Sequence, residues 1–143
     1  MTKYVLGFMF SPDFEQVLLI RKLRPEFQAG HLNGIGGHIE PKELSGEAMI
    51  REFEEECGIK TTWEQWTHFC TMQRKDNFIC LCYWSIGDIS QAKSMTDEQV
   101  EVHHLYDFDG ELKIPHDVLF NLHWLIPYAL DSDSKQPLEI TYN

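Results

Sequence analysis

The stretch Gly37-His38-Ile39-Glu40-Pro41-Lys42-Glu43-Leu44-Ser45-Gly46-Glu47-Ala48-Met49-Ile50-Arg51-Glu52-Phe53-Glu54-Glu55-Glu56-Cys57-Gly58-Ile59 decides the fold of this chain. From Leu44 to Cys57 the apolar residues Ala48, Met49, Ile50, Phe53 and Cys57 recur at three- and four-residue spacing, the period of a helix with one buried face. Ser45 is a plausible N-cap, and Gly58 suits a C-terminal cap. On that helix Glu52, Glu55 and Glu56 stand at i, i+3 and i+4, so their carboxylates gather on one face. Met49, Phe53 and Cys57 occupy another face, and Glu54 points away from the cluster.

Upstream, Tyr4 to Phe10 and Gln16 to Arg21 are strand-like runs separated by the turn residues Ser11-Pro12-Asp13, and they read as a hairpin. Residues 24 to 42 bring two prolines and four glycines, which predicts a loop broken at most by a short strand around Leu32 to Ile39. A long irregular stretch of this kind in a compact domain is usually functional. Downstream, residues 67–72, 78–86 and 100–105 are strand-like, and a second helix is expected near Asp117 to Leu130, where Pro127 kinks it or cuts it short. Asp131 to Pro137 is polar and turn-like. Leu138 to Tyr142 is expected either to add a small edge strand or to fray. The order is mixed α and β.

The length of 143 residues suits one domain, 1–143, able to bury a core without disulfide staples. A chain that is 43% hydrophobic and 13% aromatic has globular composition. Twelve basic residues against 23 acidic ones give a net charge of −11. That balance argues against polymeric nucleic acid as a partner, because such binding needs a basic surface to displace counterions. An acidic protein that handles phosphates needs cations to bridge the repulsion, so the charge itself hints at a divalent ion. The cysteines at 57, 70, 80 and 82 form no CxxC pair, and no secretory leader is evident, so free and mostly buried thiols in a reducing, cytoplasmic setting are expected. No apolar run reaches the roughly 18 residues of a membrane span.

The glutamate stripe is locally unfavourable. Like charges at i,i+4 cost about 0.2 to 0.5 kcal/mol per pair. Acids near a helix C-terminus also oppose the macrodipole. A bound divalent cation reverses the sign of both effects, since hard oxygen donors at this spacing suit Mg²⁺ with waters completing its shell. Gly34, Gly36 and Gly37 let backbone approach a ligand closely. Glu43 and Arg51 can clamp the preceding loop onto the helix as a structural ion pair. The plain alternative is a solvated acidic face.

Taken together, Gly37-x5-Glu43-x7-Arg51-Glu52-Phe53-x-Glu55-Glu56-x-Gly58-Ile59 resembles the Nudix box, the signature of the Nudix hydrolases, with seven identities over 22 positions. Phe53 stands where that family usually carries an aliphatic residue, which alters packing under the helix. The resemblance implies an α/β/α sandwich with a mixed β-sheet between helices, and a reaction in which water attacks phosphorus of a nucleoside diphosphate derivative. It implies metal ligation by Glu52, Glu55, Glu56 and the Gly36 carbonyl, with Gly37, Glu43, Arg51 and Gly58 structural. The cofactor implied is Mg²⁺, for which Mn²⁺ can substitute. Asn33-Gly34-Ile35-Gly36-Gly37-x-Ile39-Glu40 is similar to the MutT-like members, which hydrolyse oxidised purine nucleoside triphosphates such as 8-oxo-dGTP to monophosphate and pyrophosphate. Thr96-Asp97-Glu98 resembles the segment whose Glu completes the metal site in those enzymes, so Glu98 is a candidate ligand or base. Glu52 and Glu98 both stand as candidate catalytic bases.

For recognition of the base, Asn33 carries an amide able to read a purine edge, and Phe27 is placed to stack on it or wall the pocket. Leu32 replaces the aromatic that MutT-like enzymes offer before that Asn. Their acidic purine readers near the second helix correspond to Asp117 or Asn121, depending on alignment. Arg21, Lys22 and Arg24 lie where the second strand runs into the loop, within reach of phosphates or simply solvated. His103 and His104 point to opposite faces of a strand and do not share a metal. The four tryptophans read as core or rim aromatics. The partner is thus a small nucleotide, with ADP-ribose, a dinucleotide, a nucleotide sugar or a capped RNA end as alternatives, or else a nucleotide-binding module without turnover.

Overall fold

The computed structural model describes residues 1–75, 77–131 and 137–142. Its elements are β1 (Thr2–Phe10), β2 (Gln16–Arg21), β3 (Leu32–Asn33), β4 (Ile35–His38), α1 (Ser45–Cys57), β5 (Thr67–Arg74), β6 (Phe78–Ile86), β7 (Gln99–His104), α2 (Leu122–Leu130) and β8 (Leu138–Tyr142). The strands form one mixed sheet in the order β3-β2-β1-β6-β5-β8, with β4 also on β1 and β7 also on β2. Residues 132–136, most of the expected polar turn between α2 and β8, lie outside the described residues.

β1 is the organising strand. Its run of apolar residues is nearly continuous because both faces of the sheet are covered. Leu6, Phe8 and Phe10 face one core, and Val5 and Met9 face the other. β2 divides in the same way, with Val17 and Leu19 on the first side and Leu18 and Ile20 on the second. The first core is closed by α2 through Leu122, Leu125, Ile126 and Ala129. The second is closed by α1 through Ala48, Met49, Phe53 and Cys57. The result is the expected sandwich of a mixed sheet between helices. Phe53 packs edge-on against Trp66 at 5.0 Å.

The hairpin of β1 and β2 is only partial. Their pairing is confined to Phe10 opposite Val17. Beyond it, β4 takes the same edge of β1, Tyr4 to Gly7 facing His38 to Ile35, while β2 turns to pair along its whole length with β7. On its other edge β1 runs parallel to β6 over all nine residues. The glycine-rich stretch therefore supplies two short strands, β3 and β4, and β4 carries the loop 38–44 directly to the start of α1.

α1 begins one residue later than the pattern predicts, and Ser45 is not its cap. Leu44 occupies that position, its N–H donating to the Glu47 carboxylate at 3.2 Å, while the Ser45 hydroxyl bonds the Tyr83 hydroxyl at 2.6 Å. Gly58 ends the helix as expected, in the left-handed region at φ 78°, with its N–H donating to the Glu54 carbonyl. α2 starts five residues later than predicted because tertiary contacts claim the residues before it. Val118 bridges Leu32 in parallel, and the Leu32 N–H donates to the Asp117 carbonyl at 3.0 Å. Pro127 lies within α2, which continues to Leu130. β8 forms as an edge strand, parallel to β5. All four cysteines are free and buried, Cys57 against α1's core and Cys70, Cys80 and Cys82 in the core beneath α2. No helix among the described residues is long and apolar enough to cross a membrane.

Candidate functional site

Arg51 organises the acidic face of α1. Its guanidinium forks onto Glu43, with Nε to Oε2 at 2.8 Å and Nη2 to Oε1 at 2.9 Å, and Nη2 also donates to the His38 carbonyl at 2.9 Å. Nη1 donates to Glu52 at 2.8 Å and reaches Glu55 at 3.4 Å. The expected clamp between loop and helix is therefore present, and it extends to two of the clustered acids. Arg51 holds the Glu43 carboxyl below the usual carboxylate range, partly offset by burial and helped by the Glu40 N–H.

Glu52 is nearly enclosed, and the reason is Gly37. A Cβ at that position would lie 2.5 Å from the Glu52 carboxylate, so the absent side chain is the space the acid occupies. Gly36 sits opposite Leu6 in the β4–β1 pairing, where a Cβ would collide with the Val5 carbonyl. Glu55 is the exposed member of the set. Glu56 accepts from the Thr96 hydroxyl at 3.2 Å. Burial pushes its carboxyl up, and the negative charges of Glu98 and Glu52 add to that, against the pull of Thr96 and Lys22. Glu56 is thus near enough to both Glu98 and Glu52 for their charges to act on it.

Glu98 reaches this group from the segment before β7 and is 4% exposed. Its Oε1 accepts from Lys22 Nζ at 2.9 Å, and its Oε2 accepts from the Leu23 N–H at 2.6 Å and more distantly from the Arg24 N–H at 3.4 Å. Burial alone raises this carboxyl, yet the Leu23 amide and the Lys22 ammonium outweigh it and hold it below the usual range. Thr96 links the two acids, since its hydroxyl donates to Glu56 and accepts from the Glu98 N–H. Next to it, Arg24 pairs with Asp97.

The recognition candidates lie around β3 and the approach to α2. The Asn33 side-chain oxygen accepts from the Gly34 N–H at 2.8 Å, and its Nδ2 donates to Gln28 at 3.4 Å. Leu32 joins Asn33 to the Asp117–Leu119 backbone, so Asn33 and Asp117 belong to one neighbourhood. Asp117 itself is bound to Arg21, which also takes Glu101 in a fork and donates to the Gly30 carbonyl. The Asn121 amide donates to the Met72 sulfur at 3.7 Å. Phe27 is 74% exposed on the turn Glu26–Gln28. His103 bonds Glu101 and His104 bonds Gln16, so the two histidines do point apart.

Against this geometry, the family model for the NUDIX domain matches residues 2–125. The chain belongs to the Nudix family. Among solved structures, a MutT from Aliivibrio salmonicida or Vibrio cholerae is similar over 92% of this chain and 98% of that one, at 21% identity and TM-score 0.69. The NUDIX domain of Shewanella oneidensis NrtR, in complex with ADP ribose, is similar over 91% and 86%, at 18% identity and TM-score 0.71. A MutT/nudix family protein from Enterococcus faecalis is similar over 74% of this chain but only 44% of that longer one, at 18% identity and TM-score 0.65. At these identities the likeness shows a shared fold. No curated protein sequence matches the chain significantly.

In this Nudix chain the carboxylates are arranged around cationic side chains. Among the described residues, no three His, Cys, Asp or Glu side chains converge closely enough to form a ready cation cage. Glu52 is turned to Arg51, and Glu98 to Lys22 and Leu23. The donor chemistry nonetheless fits a hard divalent ion, because Glu52, Glu55, Glu56 and Glu98 offer carboxylate oxygens. Sequence reasoning missed the partners of Glu98 and the hub at Arg21. The signal available was charge complementarity between Arg21, Lys22 and Arg24 and Asp97, Glu98 and Glu101, but only the β2–β7 pairing brings the two groups together.

Proposed function

We propose that this chain is a Mg²⁺-dependent pyrophosphohydrolase that cleaves nucleoside triphosphates, oxidised purine deoxynucleotides among them, to monophosphate and pyrophosphate in the cytoplasm. The observation that supports this reading is geometric: within a Nudix domain, Thr96 joins Glu56 to the Glu98 backbone, and Gly37 leaves room for the Glu52 carboxylate on the same helix. Glu52, Glu55, Glu56, Glu98 and the Gly36 carbonyl are the groups assigned to hold the cation. Bound there, Mg²⁺ (or Mn²⁺) would neutralise phosphate oxygens and acidify the attacking water.

The chain's own residues do the remaining work. Arg51 and Glu43 fix the loop 38–43 against α1, so Gly36, Gly37 and Glu52 keep their relative positions. Glu52 or Glu98 accepts the proton of the attacking water. Asn33 and Phe27 meet the base, with Asp117 and Asn121 behind them. Asp117 is oriented by Arg21, and Asn121 by Met72.

The ADP-ribose held by the structurally similar Shewanella domain motivates a second reading, a nucleoside diphosphate derivative as substrate of the same site. One panel separates the two. Canonical and 8-oxo nucleoside triphosphates, ADP-ribose, dinucleotides and nucleotide sugars are incubated with Mg²⁺ or Mn²⁺, and the products are resolved by chromatography. Release of pyrophosphate from triphosphates is the expected result. Turnover of ADP-ribose or a dinucleotide alone moves the assignment to the second reading, and no turnover of any compound overturns both.

A further inference from the structure

We propose that Lys22 holds the place of a divalent cation in the cation-free protein, so that the cation binds by exchange, arriving at Glu98 as the lysine leaves. The inference rests on the assignment of Glu98 to the cation site made above. Its basis is the way Glu98 is held. The carboxylate side chain is 6% exposed and its two oxygens have different kinds of partner. Oε2 is fixed by backbone, through the Leu23 N–H at 2.6 Å and the Arg24 N–H at 3.4 Å. Oε1 is held by the Lys22 ammonium at 2.9 Å.

A backbone amide in a folded chain does not withdraw, whereas a lysine ammonium is a point charge on a flexible four-carbon stem. Glu98 is therefore a carboxylate anchored at one oxygen and released at the other by a side-chain rotation of its neighbour. A nearly buried carboxylate left without a positive partner is strongly disfavoured, which explains why a cation of some kind stands there at all times. The Lys22 charge also reaches Glu56, so one residue offsets two of the acids assigned to the metal. Arg24 is committed to Asp97, and Arg51 to Glu43 and Glu52.

The test compares the full chain and Lys22→Met by calorimetric titration with Mg²⁺ and Mn²⁺, and by thermal melting with and without the ion. Lys22→Met is expected to bind the cation about fivefold tighter or more, because the competing charge is gone. It is also expected to melt below the unsubstituted protein without the ion and to regain most of that loss with it. If Lys22→Met does not fold, the unsubstituted chain decides. Acylation of the Lys22 amine, located by peptide mass spectrometry, should accelerate several-fold on cation saturation. Equal or weaker cation binding in Lys22→Met, or acylation indifferent to the ion, makes Lys22 a permanent structural partner and overturns the exchange alone. Failure of the unsubstituted chain to bind either ion overturns the cation assignment, and the exchange with it.

Discussion

Glu55 and Glu56 sit side by side in the sequence and differ in almost every physical respect. Glu55 is exposed and lies at the edge of the Arg51 fork, whereas Glu56 is half-enclosed between α1 and the segment before β7. Replacing Glu56 with Gln removes a charge that burial and two neighbouring acids oppose, so the melting temperature should hold or rise. Replacing Glu55 with Gln gives up only a weak surface contact and should leave stability unchanged. Turnover should fall on the order of 100-fold in either variant. Full activity in both, measured with stability in parallel, would remove these residues from the cation site. The stripe of acids was legible because it is local, set by helical spacing, whereas the use of Gly37 to make room for Glu52 depends on how β4 packs against α1. The partner of Glu98 was not, because Lys22 lies 76 residues away and only strand pairing defines the contact.

At the scale of elements, the joint between β4, its loop and α1 holds the acids to which cation binding is assigned. Arg51 closes it with five contacts to Glu43, Glu52, Glu55 and the His38 carbonyl. Lysine keeps the charge but not the planar fork. Arg51→Lys should therefore cost about 1.5 to 3 kcal/mol, seen as a lower denaturation midpoint, and lower turnover more than it weakens nucleotide binding. An activity loss with an unchanged midpoint would show that Arg51 acts on the chemistry rather than on the joint. α1 was readable in the sequence since its apolar period is set by its own residues. The start of α2 was not, because Asp117 and Val118 are drawn off by Arg21 and Leu32. The β1–β2 hairpin was half legible for a similar reason. Its turn is local, but the insertion of β4 onto β1 is a choice of partner that neither strand encodes alone.

Over the whole molecule, a net charge of −11 is distributed so that many acids are paired with the few bases. Arg21 draws Glu101 and Asp117 below the usual carboxylate range, and Arg51 does the same for Glu43. A carboxyl depressed in the folded state contributes stability that is complete above its unfolded value. That stability is lost as pH falls through the folded one. The urea midpoint should accordingly decline from about pH 5 toward about pH 3. Arg21→Met should be less stable at neutral pH and show a shallower acid decline, since Glu101 and Asp117 return toward ordinary values. Parallel curves for the two proteins across that range would mean that Arg21 does not set the acid response.

The two cores that flank the sheet carry different numbers of thiols: one lies behind α1 and three lie beneath α2. Each layer of the sandwich thus contains its own chemical clock. Alkylation at Cys57 records the moments when α1 lifts from the sheet, and alkylation at Cys70, Cys80 and Cys82 records those when α2 does. The layer of α1, to which cation binding is assigned under the proposed function, and the layer of α2 can be timed separately within one reaction tube, without adding a label to the protein.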